Sequence, residues 1–370
     1  MKILGRSLGF LAVWLAAFAA RADINIAIIT PMSGDYKYFS EELIDGAKIA
    51  VDEINNRGGL QGKKVNLVPI DDPCDDVLSL SAAQMIALNK TDDKMSLVLG
   101  PHCPNSADAI ADLLHKAKIV QIHPVGIENN RYIKPRPEVI RFTGYTDKAT
   151  EKLIDFIDTH YPMQTLGVVY ERGNFDMEDN LKIIRNKYAG VLERRVVEAD
   201  FVATHSSMKQ AAAKVVEEGA ELVYIMGGGE KILELSERIR DLDQDMVIFA
   251  DRYSLRNKFA RKSNAMSQES YLLSMPALTA NSYFAPSLVR LRLWGIEPEG
   301  LMPYGYLAVK MWAGLIRQAK SFRYERILSE LRGKKINTGW DEVVYRGGVP
   351  QKQLPYTIYR IRNGKYTQVY

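Results

Sequence analysis

Short apolar runs alternate with longer amphipathic segments along this chain, and this alternation restricts the fold more than any other feature of the sequence. The runs INIAIIT, KVNLVPI, SLVLG and IVQI are typical of buried strands, and a segment with apolar residues at helical spacing follows each of the first three. Strands and helices joined by short connections predict right-handed crossovers and a parallel sheet. The predicted helices are Glu41 to Asn56, Val77 to Lys90 and Asn105 to Lys118.

The alternation begins again after RFTGYTDKATE and predicts a second open sheet, with LGVVY, RVVEADF, ELVYIM and MVIFA as strands. The stretch ESYLLSMPALTA then interrupts the rhythm, and Asn363-Gly364 between alternating residues predicts a C-terminal hairpin. We therefore expect an α/β protein with two lobes and a cleft between them. The further predicted helices are Glu178 to Ala189, Ser207 to Glu218, Lys231 to Leu242, Pro286 to Trp294 and Pro303 to Lys320.

Residues 1–22 have the pattern of a secretory signal peptide. Lys2 and Arg6 precede an apolar run, and small residues precede Asp23, which predicts cleavage after Ala22. The run is shorter than the about 20 apolar residues that span a bilayer, and no later run approaches that length, so we expect a soluble mature chain in the periplasm. GRSLG matches a nucleophile-elbow motif, but it lies in this leader before the first strand, so we interpret the match as chance.

The charge of the mature chain gives no support for nucleic-acid binding. Removing residues 1–22 removes three basic residues and no acid, so the net charge falls from +4 to +1. The remaining 348 residues exceed one ordinary core, so length also predicts two domains.

Cys74 and Cys103 are the two cysteines of the chain, and each follows a predicted strand. In an oxidising compartment they form one potential disulfide, which would close a loop worth about 3 kcal/mol in the chain-entropy model. A metal site is the alternative that these residues leave open, although no regular C-x-x-C or H-x-x-x-H spacing organises it. Its candidate ligands are Cys103, His102, His123, Asp71, Asp72, Asp75 and Asp76.

Ligands of open α/β sheets bind outside the carboxyl ends of the strands, and helix starts there offer free backbone N–H groups to anions. Here those ends include TPMSGDYKYF, GPHCPNSA, HPVGIENN, YERGNFDM, MGGGEK and ADRYS. GGGEK lacks the G-K-[ST] of a phosphate loop, and no G-x-G-x-x-G follows a strand, so we interpret the chain as a binding protein rather than an enzyme. A Ser-His-Asp group stays open, because any fold can assemble one.

Three stretches carry a resemblance to a known family. They are AIITPMSGDYKYFSEELIDGAKIAVDEINNRGGLQGKKVNLVPIDDPCDD, LVLGPHCPNSADAIADLL and GYLAVKMWAGLI. The chain resembles the leucine/isoleucine/valine-binding protein family, the type I periplasmic substrate-binding proteins of amino-acid ABC transporters. The resemblance implies that Cys74 and Cys103 form a disulfide and that the loop after Cys103 opens the ligand cleft.

We expect the chain to cross between the lobes three times, near Gly144, Pro276 and Gly347, because the helices of the first lobe are completed only after Met275. These crossings would form a three-stranded hinge. The first lobe is then predicted to comprise residues 23–143 and 276–345, and the second residues 144–275 and 346–370.

In the first lobe, the ligand-binding residues of the family match the residues of this chain poorly. Pro104 occupies the place of a serine that offers a hydroxyl and a backbone N–H to the ligand carboxylate, and Pro offers neither. The hydroxyl of the next loop falls on Ile127 or nearby. We predict ligand contacts at both positions, with ordinary packing as the alternative for Ile127. The other candidates in this lobe are Phe39, Cys103, Asn105 and Gly126.

In the second lobe, Phe175 replaces a tyrosine that reaches across the cleft in the family, with ordinary packing as the alternative. A further aromatic of the family falls in the run that includes Gly227 and Gly228, which is expected to leave space or to be an ordinary turn. The acid that pairs with the ligand ammonium aligns with Asp251 or Arg252. Arg252 also begins a stretch that alternates charged and apolar residues as a solvated helix face would.

An α-amino acid would find its charged ends poorly paired among these residues, at about 1–3 kcal/mol per missing partner. We therefore predict a periplasmic substrate-binding protein of an ABC-type importer whose ligand is not a standard branched-chain amino acid. The expected partners are that small ligand and a membrane permease, with no cofactor and no structural metal. The alternative is an extracytoplasmic sensor or accessory protein that binds a ligand without transport.

Overall fold

The structure is a computed structural model that describes residues 23–33, 37–88, 95–103, 107–125, 136–142, 147–251, 269–362 and 365–370. A five-stranded sheet (the first sheet) has the order β2-β1-β3-β4-β5, and all its pairs are parallel. The predicted parallel α/β sheet is thus confirmed. Its strands are β1 Ile24–Thr30, β2 Val65–Asp71, β3 Met95–Leu99, β4 Val120–His123 and β5 Val139–Arg141.

A seven-stranded sheet (the second sheet) has the order β15-β14-β10-β9-β8-β6-β7. Strands β6 to β10 are parallel to their neighbours, and β14 and β15 add an antiparallel edge. The strands of the second sheet are β6 Leu166–Glu171, β7 Val196–Phe201, β8 Leu222–Met226, β9 Val247–Ala250, β10 Ser270–Ser274, β14 Thr357–Arg362 and β15 Lys365–Gln368. A small third sheet consists of β11 Lys335–Asn337, β12 Glu342–Arg346 and β13 Val349–Pro350.

Helices cover both faces of each large sheet. Ile26 and Ile28 of β1 pack in the core cluster that contains α1, whereas Ala27 and Ile29 pack in the cluster formed with α2 and α3. The helices are α1 Lys37–Asn56, α2 Asp76–Leu88, α3 Ala107–Lys116, α4 Asp147–His160, α5 Phe175–Ile184, α6 His205–Glu217, α7 Gly229–Leu242, α8 Ala285–Leu293, α9 Met302–Ala319 and α10 Tyr324–Leu331.

Most predicted elements are confirmed, with two differences. The predicted helix Glu178 to Ala189 is α5 followed by a π-helical turn, Arg185–Val191. The run in ESYLLSMPALTA does not interrupt the pattern, because β10 is fully buried and continues the parallel order beside β9. The C-terminal hairpin is confirmed by the antiparallel pairing of β14 and β15, although its turn, 363–364, lies outside the described residues.

The late helices return to the first sheet. A Cβ atom on Gly46 of α1 would overlap the Met302 carbonyl of α9, so the two helices approach closely. Glu53 of α1 is buried and accepts hydrogen bonds from Arg290 at 2.7 Å and Lys310 at 2.8 Å. Burial raises the pKa of Glu53, but the hydrogen bonds from Lys310 and Tyr306 outweigh it and hold the pKa below its usual range.

The last two strands join the second sheet, so the chain contributes late segments to both sheets. The small third sheet contacts β5, where the Arg141 N–H donates to the Gly348 carbonyl at 3.3 Å. The predicted crossing near Gly144 lies outside the described residues. The exact lobe boundaries stay a prediction.

Candidate ligand-binding site

The carboxyl ends of the strands of the first sheet, with the loops that follow them, form the first edge of the candidate site. The predicted disulfide is confirmed: Cys74 and Cys103 are bonded, with Cα atoms 5.2 Å apart. The two strands that precede these cysteines, β2 and β3, are not neighbours, because β1 lies between them. Two strand spacings place the ends of β2 and β3 about 10 Å apart, so the disulfide joins loops that converge beyond the end of β1.

Asp72 organises the loop that carries Cys74. Its buried carboxylate accepts hydrogen bonds from the Cys74 N–H at 3.1 Å and from the Ser79 hydroxyl, while its own N–H donates to the Thr30 carbonyl at 3.1 Å. Among the described residues, Asp72, Cys74 and Cys103 form the group whose ligand atoms lie close together. Because both sulfurs are in the disulfide, neither is a thiolate, and the alternative of a metal site on these cysteines is wrong.

The loop before Cys103 is held against the end of β1. Gly100 has φ +94°, and a Cβ atom there would lie 2.5 Å from the Ile29 carbonyl oxygen, so both the backbone conformation and the space require glycine. The His102 Nδ1 lies 2.9 Å from the same carbonyl oxygen, and since a carbonyl only accepts, Nδ1 carries the proton. The disulfide and this contact together fix the loop that leads to Pro104.

The loop after β1 is tied to the start of α1. The hydroxyls of Thr30 and Ser40 lie 2.6 Å apart, and both side chains are buried. The Met32 N–H donates to the Asp71 carboxylate at 2.7 Å. Phe39 is the third residue of α1 and precedes Ser40, so it lies at the first edge.

The carboxyl ends of β6 to β9 and their loops form the second edge. Phe175 is the first residue of α5, and Asn174 caps that helix by accepting from the Met177 N–H at 3.2 Å. Gly227 and Gly228 connect β8 to α7, and Gly228 is the N-cap of α7. Glycine has no side chain with which to cap, so no capping side chain at this position competes with a ligand for the first N–H groups of α7.

The side-chain position of Gly227 is not open, whereas the expected space at the rest of the run stays a prediction. A Cβ atom on Gly227 would lie 3.2 Å from Cζ of Phe201 and 3.9 Å from Cγ1 of Ile232. Both neighbours belong to the buried cluster between the second sheet and its helices α6 and α7. The side-chain position of Gly227 therefore points into the lobe, and Phe201 fills the volume.

Asp251 is fully buried at the end of β9. Its carboxylate accepts a hydrogen bond from the Tyr224 hydroxyl at 3.1 Å, and its N–H donates to the Ile225 carbonyl at 3.1 Å. Tyr224, in the middle of β8, and Asp251, directly after β9, thus form a polar pair between adjacent strands. A ligand contact by Asp251 stays a prediction.

Two ion pairs at the second edge were not predicted. The Lys231 ammonium, in the first turn of α7, donates to the Glu171 carboxylate at the end of β6, and both side chains are mostly buried. Arg172 donates to Asp200 at the end of β7. Glu171, Arg172 and Lys231 lie in the strand-end segments that the sequence identified, whereas Asp200 lies within β7. Both pairs depend on β6 being the neighbour of β7 and of β8.

The other predicted ligand residues lie outside the described residues: Pro104, Asn105, Gly126, Ile127 and Arg252. The side chains of Phe39 and Phe175 lie outside the description too. The structure therefore brings Cys103 to the first edge and Gly228 and Asp251 to the second. All ligand contacts stay predictions. In the part of the chain that the structure describes, we found no helix with the length and apolar character needed to span a membrane.

Two α/β sheets covered by helices, with late segments of the chain returning to each, match the fold of two-lobed periplasmic binding proteins. The chain matches the periplasmic binding protein family over residues 23–271, and it belongs to that family. Members of this family are binding proteins rather than enzymes.

Among relatives, the chain is 24% identical over 374 residues to Leu/Ile/Val-binding protein homolog 3 of Brucella melitensis, covering 99% of this chain and 98% of the relative. Two solved structures share the fold. The isoleucine complex of a branched-chain amino acid transporter substrate-binding protein from Streptococcus pneumoniae has a TM-score of 0.77 at 19% identity and covers 94% of this chain and 99% of its own. A solute-binding protein from R. palustris in complex with benzoate has a TM-score of 0.77 at 13% identity and covers 94% and 96%.

Proposed function

We propose that this chain is the substrate-binding protein of an ABC-type importer and captures a small ligand between its two lobes. The observation that carries the proposal is the disulfide-held loop at the first edge, in a chain that belongs to the family over most of its length. A rigid loop at the carboxyl ends of parallel strands is suited to reversible capture, because little conformational entropy is lost on binding.

The ligand that we propose is a small carboxylate without an α-ammonium group. Pro104 and Ile127 supply no hydroxyl to an amino acid, and the Asp251 carboxylate already accepts from Tyr224 in a buried position. The helix start at Gly228 and the cation of Arg252 are suited to a carboxylate. The fold accommodates such a ligand in the R. palustris protein, whose structure contains benzoate.

The proposed location is the periplasm, reached through the cleaved leader 1–22. The proposed lobes comprise residues 23–143 with 276–345 and residues 144–275 with 346–370. Closure would then bend the three crossing segments of the hinge, which requires few contacts to break.

A thermal-shift screen tests the ligand. A ligand present at 100 times its dissociation constant stabilises the folded state by about 2.7 kcal/mol, so benzoate and simple aliphatic carboxylates should raise the unfolding temperature. Leucine, isoleucine and valine at millimolar concentration should produce little shift. Native mass spectrometry of protein purified without refolding should show a bound small acid.

Arg252→Ala separates an anionic ligand from an apolar one. We expect this variant to lose the shift produced by carboxylates. Arg292→Ala is the control and should keep it, because Arg292 is exposed on α8 and pairs with Glu297. A shift of several degrees with leucine, together with micromolar calorimetric binding, would show that backbone groups hold an amino acid and that the proposed ligand class is wrong.

A further inference from the structure

Helix α2 is apolar on two opposite sides. Residues 77–88 contain no charged side chain. One side, which includes Ala83 and Ile86, is buried against the first sheet and α3. Surface helices normally carry charged and polar residues on the outward side, so this composition is typical of a helix covered on both sides. The outward side includes Val77, Leu78, Met85 and Leu88, exposed by 72%, 57%, 64% and 79%.

The outward residues form one continuous stripe, which we call the α2 face: Val77, Leu78, Ser81, Gln84, Met85 and Leu88. At 100° per residue they fall within an arc of about 120°. Leu78, Ser81, Met85 and Leu88 are spaced by three, four and three positions, which is the spacing of contact positions in paired helices. The Ser81 hydroxyl donates to the Val77 carbonyl at 2.8 Å, so a partner need not satisfy it.

The strand beside α2 does not offer an alternative contact. β2 is the edge strand of the first sheet, and Val68 is partly exposed there. However, Pro69 lies within the strand, and proline removes a backbone donor that an added strand would need. Addition of a strand beside β2 is therefore disfavoured, and the exposed apolar side chains of α2 are left for helix packing.

We propose that the α2 face binds the α2 face of a second copy of this chain, with the two helices antiparallel about a two-fold axis. Two identical uncharged faces do not repel each other, and a two-fold contact uses the same patch on both copies. Helices α2 and α3 run in the same direction, because each follows a strand of one parallel sheet.

Charge at the two ends of the face supports the antiparallel arrangement. Asp75 is exposed at the start of α2, where it accepts hydrogen bonds from the Val77 and Leu78 N–H groups. Lys116 is exposed in the last turn of α3, at the opposite end. Antiparallel pairing brings the acidic end of each copy toward the basic end of the other, whereas parallel pairing would place acid beside acid.

The contact is small. The 13 residues of α2 span about 20 Å, so two such faces bury less than about 1,200 Å², the lower end of specific interfaces. We therefore expect a reversible dimer with a dissociation constant of about 1–100 μM. This inference does not depend on the identity of the ligand.

Sedimentation equilibrium of the purified protein tests the proposal with a matched pair of variants. Leu88 and Leu293 are exposed by 79% and 80%, and Leu293 lies on α8, away from the α2 face. We expect the wild-type average mass to rise toward that of a dimer with concentration. Leu88→Glu should weaken association at least tenfold, and Leu293→Glu should leave it unchanged. Circular dichroism and thermal unfolding confirm that each variant is folded.

Ser81 provides a second test, because it lies near the middle of the face and would lie near its own copy. Ser81→Lys and Ser81→Glu should each reduce self-association, and a mixture of the two should restore it. A wild-type protein that stays monomeric to several hundred micromolar would overturn the proposal. So would equal loss in Leu293→Glu, or a mixture that fails to associate. If the protein is monomeric but Leu88→Glu impairs binding to membranes that contain a permease, a membrane partner covers the face instead.

Discussion

The two edges of the candidate site are held together by different forces. At the first edge, a covalent bond between Cys74 and Cys103 reaches across the end of β1. At the second edge, adjacent strands are joined by ion pairs and a buried hydrogen bond, which involve Lys231, Arg172 and Tyr224. Covalent bonds are insensitive to salt and pH, whereas ion pairs are sensitive to both. We therefore expect the stability of the first edge to be independent of salt and pH, and that of the second edge to depend on both.

The largest expected effect follows loss of the disulfide. Cys74→Ser with Cys103→Ser releases a loop of 29 positions and should lower the free energy of unfolding by about 3 kcal/mol. Urea denaturation of wild type with and without a reducing agent measures the same loss. The double variant is the control, because a reducing agent should no longer change its midpoint. If thiol labelling shows that the reducing agent has freed both cysteines of the wild type and its midpoint is still unchanged, the disulfide does not stabilise this edge.

Tyr224→Phe should have the next largest effect, at the second edge. It removes a hydroxyl that donates to the buried Asp251 carboxylate, and hydrogen bonds to charged groups contribute about 1.5–3 kcal/mol. Tyr283→Phe is a suitable control, because Tyr283 is exposed. Chemical denaturation measures both variants. If Tyr224→Phe and wild type are equally stable, the hydrogen bond from Tyr224 in β8 to Asp251 after β9 does not stabilise the second edge.

Lys231→Met should cost less, about 1 kcal/mol, because the Lys231 and Glu171 side chains keep some contact with solvent, unlike the fully buried Asp251, and solvent screening weakens an ion pair. The loss should shrink when Glu171→Gln is combined with it, as a double-mutant cycle for coupled residues requires. The exposed pair of Lys148 and Glu151 is the control, and Lys148→Met should change stability by less than about 0.5 kcal/mol. Additive single effects in the cycle would refute a direct pair.

The smallest expected effect is a pH dependence specific to the second edge. The hydrogen bond from Arg172 and its charge hold the pKa of Asp200 below its usual range. A lowered pKa in the folded state means that the pair stabilises the protein above the unfolded pKa of about 3.9, and that this contribution is lost as the pH falls through the lower folded value. Asp200→Asn should therefore be less stable than wild type at pH 7, and the difference should be smaller at pH 3.

Denaturation curves at the two pH values measure the Asp200 difference. The Cys74→Ser, Cys103→Ser variant offers the contrast, because its deficit should be similar at both pH values. A deficit of Asp200→Asn that persists unchanged at low pH would show that packing, not charge, accounts for it.

Sequence periodicity was sufficient for most of the elements at both edges. The apolar runs INIAIIT and ELVYIM form β1 and β8. Strands of a parallel sheet are covered by helices on both faces, so an uninterrupted apolar run of five to seven residues is typical of them. The run in β10 was the exception. The stretch that contains it was interpreted as a break in the alternation, yet the five residues of the strand are all buried beside β9.

The site was predicted less completely than the fold. The strand-end loops were identified, and Cys74 and Cys103 are bonded as expected. The Glu171–Lys231 pair was not predicted, because a sequence shows that two loops end strands but not that those strands are neighbours. The sequence also could not show that Phe201, 26 positions earlier, lies against the side-chain position of Gly227 from the end of β7.

The sequence by itself determined the strands, the helices, the parallel connections and the two cysteines that can pair, because these depend on local periodicity and residue chemistry. Only the tertiary structure decided the order of the strands. That order places β1 between β2 and β3, brings Lys231 to Glu171, and leaves the α2 face outward. The physical reason is that strand order minimises the exposure of apolar surface over the whole lobe, and no short stretch of sequence contains that information.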